Sequence, residues 1–259
     1  MSIFAFDVGN TNVTAGLFVR EKLVHVFRFA SDARRTADEW VVLFTHALAR
    51  VGHLTEEVEG VVLGSVVPPL TSSLREAARV LFDVDPLILG PGVRTGIPIR
   101  IDNPRELGAD RLANAVGARE RYGAPAIVVD FGTATTFDVI GADGAYEGGV
   151  IAPGVEIGME ALFARTAKLP KVALEPPPSP LGKNTVDALQ AGLFYGTLGQ
   201  VEGILRNLKA LLPSSTRVIA TGGLGEPFAR ASREIDLYDP ELTLYGLWTV
   251  YRKNRMHDG

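Results

Sequence analysis

The chain contains no cysteine, and that single absence removes disulfides, thiolate zinc sites and a cysteine nucleophile together. Histidine is scarce. The four, His25, His46, His53 and His257, are widely spread and share no ligand spacing, so they read as structural or surface residues and no catalytic histidine is expected. No apolar run approaches ~20 residues, and the N-terminus lacks a basic region and carries Asp7 inside its apolar stretch, so neither a membrane helix nor a signal peptide is expected. Positive charge is not in excess either. Lys and Arg number 26 against 30 Asp and Glu, and their scatter leaves no footprint for nucleic acid or an anionic membrane. The expectation is a cytoplasmic protein with small-molecule partners.

What the chain does have is apolar residues, 46% of 259, enough for one large or two modest domains. The stretch Ile3 to Thr14, IFAFDVGNTNVT, is the one around which the rest is organised. An apolar run delivers Asp7 into a tight turn in which Gly9 lets backbone N–H groups approach an anion, Asn10, Thr11 and Thr14 can donate hydrogen bonds, and Asp7 can hold Mg²⁺ through water. The same residues also make an ordinary hairpin turn. A second copy favours the phosphate reading: Ala126 to Ile140 is AIVVDFGTATTFDVI, and Asp130, Gly132 and Thr133 echo Asp7, Gly9 and Asn10. The chain therefore reads as an internal duplication, with lobes at 1–122 and 123–259 and two phosphate loops for one nucleotide.

Between these copies the pattern is α/β. Thr14 to Val19 and Leu23 to Ala30 form a hairpin around Arg20-Glu21-Lys22. Thr36-Ala37-Asp38-Glu39 is a capping box for a helix carrying Trp40, Leu43, Phe44, Ala47 and Val51, stopped by Gly52. Val58 to Val67 reads as a buried strand, Ser72 to Phe82 as a helix and Pro86 to Leu89 as a short strand. Gly108 to Arg111 should be the first turn of a helix running to Gly123, where an acidic residue also simply suits the helix dipole. In the second half a hairpin turns at Gly141 to Gly144, and Asp138 and Asp143 are expected only to shape or solvate it. A helix is expected from Glu156 to Lys168, a proline-rich loop after it, and a long helix from Thr185 to Leu212. Gly192, Gly196, Gly199 and Gly203 line one stripe of that helix, which calls for close approach of another helix, within the lobe or from a second subunit. A strand from Arg217 to Ala220 enters Thr221-Gly222-Gly223, and Leu242 to Tyr251 is a terminal helix. Trp40 and Trp248 read as packing residues.

Asp7-Val8-Gly9-Asn10-Thr11, Gly108-Ala109-Asp110-Arg111 and Asp130-Phe131-Gly132-Thr133 resemble the three signature motifs of the type III pantothenate kinases. Asp102-Asn103-Pro104, Gly148 to Gly154 and Thr221-Gly222-Gly223 follow in that family's order. The resemblance implies a duplicated actin-like, ribonuclease-H-like α/β fold, a homodimer, and transfer of the ATP γ-phosphate to the terminal hydroxyl of pantothenate, the first step of coenzyme A synthesis. Carried over, it puts ATP on Asp7, Val8, Gly9, Asn10, Thr11, Asn12, Val13, Thr14 and Thr133, and pantothenate on Gly108, Ala109, Asp110 and Arg111. It makes Asp110 the general base, Asp130 the ligand of a monovalent cation (K⁺ or NH₄⁺) and Thr185 a pantothenate contact across the dimer. Phosphoryl transfer rests on positioning and charge neutralisation, which suits these residue types, and Arg111 can fork onto the substrate carboxylate. One departure stands out: Ile101 occupies a place where the family commonly has Tyr. Two other readings exist, a nucleotide-binding regulatory branch of the family and another small-molecule kinase of the actin-like superfamily. Asp110 and Arg111 argue against the first, since a sensor has no use for a base.

Overall fold

A computed structural model describes residues 1–165, 170 and 172–255. It divides into two compact units, Met1–Arg121 together with the chain from Glu241 on, and Tyr122–Pro240.

The first unit is built on β1 (Ser2–Val8), whose run Ile3-Phe4-Ala5-Phe6 is buried on both faces, as a central strand requires. β2 (Asn12–Val19) pairs antiparallel with β1, and β3 (Lys22–Ala30) antiparallel with β2. α1 (Ala37–Arg50) then crosses over to β4 (Val58–Ser65), which lies parallel to β1 on its other edge. Helix α2 (Pro68–Phe82), the two-residue strand β5 (Leu87–Ile88) and helix α3 (Ala109–Tyr122) follow, giving the sheet order β3-β2-β1-β4-β5. Thr36 and Glu39 form the expected capping box. Between sheet and helices lies an aromatic core: Phe4 meets Phe6, Phe27, Phe44 and Phe82 edge-on at centroid distances of 4.5–6.0 Å, and Trp40 stacks on Phe44 at 5.3 Å.

The second unit repeats the plan. β6 (Ala126–Phe131), β7 (Ala134–Ile140) and β8 (Tyr146–Pro153) make the antiparallel meander. Helices α4 (Val155–Arg165) and α5 (Thr185–Lys209) precede β9 (Arg217–Thr221), which is parallel to β6, and α6 (Gly225–Ala231) leads to β10 (Leu237–Tyr238). Its sheet order, β8-β7-β6-β9-β10, is the first unit's order with each strand replaced by its counterpart.

Several expectations change. α2 starts at Pro68 rather than Ser72 because proline is suited to the first helical position, and β4 accordingly ends at Ser65. The expected helix 156–168 ends at Arg165 within the described residues, its last three positions lying outside them. The terminal helix α7 (Leu242–Arg255), expected in the second lobe, lies in the first unit. Glycines on β4 make room for it: a Cβ at Gly64 would lie 2.7 Å from Leu247 Cδ2, and one at Gly60 would overlap the Tyr251 hydroxyl. Trp248 stacks on Phe18 at 5.5 Å. At its crossing with α3, a Cβ on Gly246 would overlap the Ala113 carbonyl. Asp138 does not sit on a solvated rim. It is fully buried in β7 and accepts a 2.8 Å hydrogen bond from the Tyr146 hydroxyl. The glycine stripe of α5 also differs from an intrachain packing seam: a Cβ at Gly192, Gly196, Gly199 or Gly203 would meet nothing within 4 Å. No helix among the described residues is long and apolar enough to cross a membrane.

Candidate active site

In the first unit, Asp7 stands one residue before the end of β1, paired with Thr14 of β2 and level with Gly64 of β4. Alternation along the strand then separates the predicted loop residues into two groups. Asp7 and Thr14 are half-buried, and Asn10, Thr11 and Asn12 are exposed in the turn, whereas Val8 and Val13 are core residues that can offer a ligand only their backbone. The turn is held from inside and outside. The Gly9 N–H donates to the Asn12 carbonyl at 3.0 Å, the Ser31 hydroxyl donates to the Gly9 carbonyl at 2.6 Å, and the Ser31 N–H donates to the Thr11 carbonyl at 2.9 Å.

The second motif enters the same unit at the start of α3. The Gly108 carbonyl accepts the Leu112 N–H at 3.0 Å, Asp110 lies in the first turn, and its Oδ1 accepts the Arg111 N–H at 2.8 Å. Gly108 leaves room for the Asp110 carboxylate: a Cβ there would sit 2.5 Å from Asp110 Oδ1, so that side chain would have to shift, and 3.7 Å from Val66 Cγ1. Val66 lies near both motifs, and its N–H donates to the Val8 carbonyl at 3.1 Å. Sequence reasoning missed Val66, an apolar residue at a strand end with no chemical signal of its own. Just upstream, Asn103 caps a single 3₁₀ turn at Pro104–Glu106, accepting the Arg105 N–H and donating to Glu106, while Ile101 is half-buried. The Asp102-Asn103-Pro104 run thus shapes the backbone ahead of Asp110.

In the second unit Asp130 holds the position of Asp7, paired with Thr136 and Thr221. The Gly132 N–H donates to the Ala134 carbonyl at 3.1 Å, as Gly9 does to Asn12. Since Asn12 opens β2 opposite Ala30 and Ala134 opens β7 opposite Pro153, Asn12 and Ala134 are equivalent and the first turn is one residue longer. Thr133 therefore matches Thr11, not Asn10 as the order of residues in the two motifs suggests. Gly222, with φ +89°, closes on this turn: a Cβ would lie 2.5 Å from Asp130 Oδ1 and 2.6 Å from the Phe131 carbonyl oxygen, so two oxygens converge beside it. The Gly222 carbonyl is fixed by the Tyr238 hydroxyl at 2.8 Å. Gly154 abuts the turn, its hypothetical Cβ overlapping the Thr133 carbonyl. Thr185 is exposed in the first turn of α5, behind the N-cap Asn184, in a shallow depression with Gly182, Lys183, Ala188 and Leu189. Among the described residues no three His, Cys, Asp or Glu side chains gather as a metal cage. Asp7 and Asp130 are single carboxylates beside hydroxyls or carbonyls, a hard-oxygen donor set suited to ions that share their coordination with phosphate and water.

Two copies of a strand-turn-strand unit, each with an aspartate one position before the end of its central strand, make a duplicated actin-like fold. Solved structures agree at the level of fold: (R)-2-hydroxyglutaryl-CoA dehydratase component A of Acidaminococcus fermentans aligns with TM-score 0.58 and 13% identity over 98% of this chain and 99% of its own. A Campylobacter jejuni protein provisionally described as a Baf-family transcriptional activator aligns with TM-score 0.62 and 20% identity over 98% and 99%. Residues 3–207 match the family model of type III pantothenate kinase. The type III pantothenate kinase of Moorella thermoacetica is 51% identical over 252 residues, 97% of this chain and 99% of that protein, and that of Listeria monocytogenes is 45% identical over 253 residues, 98% of each. The chain belongs to the type III pantothenate kinase family, whose members are ATP-dependent kinases.

The contact at Gly154 is with backbone, which cannot rotate aside. Gly154→Ala should destabilise the protein by about 1–3 kcal/mol. Gly158→Ala in α4, where a Cβ meets nothing within 4 Å, should be neutral or stabilising by up to about 1 kcal/mol. Thermal unfolding of both reads the difference, and equal stabilities would contradict the close approach.

Proposed function

We propose that this protein phosphorylates pantothenate on its terminal hydroxyl with the γ-phosphate of ATP, giving 4'-phosphopantothenate for coenzyme A synthesis. The observation that carries this reading is that the turn after Asp7 and the helix start bearing Asp110 and Arg111 lie in one unit, with Val66 hydrogen-bonded to Val8 beside the turn and its side chain near Gly108. In this reading the turn Asp7 to Thr14 receives the ATP phosphates, with Thr133 as a further contact. Asp110 accepts the proton of the attacking hydroxyl and orients it, and Arg111 forks onto the pantothenate carboxylate. Asp7, with Thr14 across the ladder, offers the oxygen ligands Mg²⁺ prefers. When bound, that ion neutralises the β- and γ-phosphate oxygens. Ile101 leaves the substrate pocket without the hydroxyl that the family's Tyr supplies.

A coupled assay with ATP, Mg²⁺ and pantothenate tests the activity. ATP turnover without phosphopantothenate would instead favour a nucleotide-binding regulator. Because phosphoryl transfer demands orientation of the acceptor, Asp110→Asn should lower kcat roughly 10²- to 10⁴-fold while leaving ATP binding intact. Asp7→Asn should behave differently, raising the apparent ATP and Mg²⁺ requirements along with the loss of rate. A destabilised but fully active Asp110→Asn enzyme would reduce Asp110 to a helix-terminus residue.

Asp130 is proposed as the ligand of a monovalent cation, supported by the convergence of its Oδ1 and the Phe131 carbonyl beside Gly222. Rates in K⁺ should exceed those in Na⁺ or Tris by a large factor, and equal rates would remove Asp130 from that role.

A homodimer in which Thr185 reaches the partner's substrate fits the open glycine stripe of α5 and the exposed Val186 and Tyr195 on the same helix. Sedimentation should give two subunits, and Gly196→Leu should weaken their association. A fully active monomer would refute the shared site.

A further inference from the structure

We infer that Ser31 is a positioning residue of the nucleotide site: it turns the carbonyls of the Gly9 to Asn12 turn outward, so that the N–H groups of Asn10 and Asn12 are presented to phosphate. The inference rests on reading Asp7 to Thr14 as the ATP loop.

An anion cradle fails if a carbonyl points into it, because the oxygen's partial negative charge repels phosphate. In a trans peptide the C=O and the following N–H point in opposite directions. Fixing one therefore aims the other. The Ser31 hydroxyl takes the Gly9 carbonyl at 2.6 Å and the Ser31 N–H takes the Thr11 carbonyl at 2.9 Å. These carbonyls belong to the same peptide units as the N–H groups of Asn10 and Asn12. In a two-residue hairpin, the Gly9 carbonyl would otherwise be the natural acceptor for the Asn12 N–H. Here it is drawn to Ser31 instead.

The duplication supplies an independent observation. Ser31 is the first residue after β3, and the first residue after β8 is Gly154. Gly9 corresponds to Gly132 and Thr11 to Thr133, and a Cβ on Gly154 would overlap the Thr133 carbonyl and lie 2.8 Å from the Gly132 carbonyl. Both copies thus set the residue after the third strand against the same two carbonyls. In the first it holds them by hydrogen bonds; in the second, backbone lies directly against them. No charged or ligating chemistry marks Ser31 in the sequence, and only the position after a duplicated strand betrays it.

The test uses the full chain with Ser31→Ala and Ser31→Thr. Alanine keeps the N–H bond to Thr11, so the fold is retained, but it frees the Gly9 carbonyl. Loss of one hydrogen bond that orders the loop should raise the apparent KM for ATP about 3- to 10-fold, with KM for pantothenate and the melting temperature near wild type. Threonine, which keeps the hydroxyl, should restore the ATP value. An unchanged KM for ATP in Ser31→Ala, an equal rise in both KM values, or no rescue by threonine would each overturn the inference. Calorimetric titration of ATP into the same proteins separates this from the functional reading. Wild-type protein that binds ATP without phosphorylating pantothenate overturns the proposed function alone, whereas Ser31→Ala that binds ATP as tightly as wild type overturns the role of Ser31.

Discussion

A strand hydrogen-bonded on both edges cannot move its end without breaking two ladders, and this constraint holds the candidate site together. β1 is locked between antiparallel β2 and parallel β4, and β6 between antiparallel β7 and parallel β9. Each carries an aspartate one position before its end, with glycine as the first residue beyond the strand. The carboxylates of Asp7 and Asp130 are therefore fixed by backbone pairing and by a core on both faces, not by side-chain contacts alone. Only the turn beyond each strand can vary, and the two copies vary there: the first has one residue more and exposes Asn10, Thr11 and Asn12.

Glycine marks the places where backbone meets backbone or a buried side chain. Gly154 and Gly222 crowd the second turn, Gly108 makes room for the Asp110 carboxylate, and Gly246 lets α7 cross α3. Each would bring a Cβ into hard contact. The four glycines of the α5 stripe are of the opposite kind: a Cβ at any of them would meet nothing within 4 Å, so no close approach of a neighbouring group calls for their absence of a side chain. That contrast separates glycines that a neighbouring group requires from those where a Cβ would meet open space.

Much of the fold was legible because local signals and burial agreed. The apolar run into Asp7, its repeat at Asp130 and the Thr36 capping box each specify an element by short-range physics, and the structure has all three. What was hidden depended on long-range packing. The membership of α7 is decided by Gly60 and Gly64 on a strand some 180 residues earlier, which no local pattern reports. Asp138 reads as a hairpin residue in the sequence, whereas in the fold it accepts the Tyr146 hydroxyl in the interior. The elements α6 and β10 were too short, and Pro227 in α6 too misleading, to be read from periodicity. In the candidate site the acidic and glycine residues were visible, whereas Val66 and Ser31, which hold them in place, carry no chemical signature. The alignment of Thr133 with Asn10 failed because a one-residue difference in turn length is visible only in strand register.

The central proposal is that the turn at the end of β1 takes up the ATP phosphates, with Thr133 as a further contact, while the start of α3 takes up the acceptor. Amide hydrogen exchange with and without ligands tests it most directly. Mg²⁺–ATP should protect peptides covering 7–14 and 130–135, and pantothenate should add protection over 100–111. Protection by ATP confined to other segments, or confined to a single copy, would contradict the account.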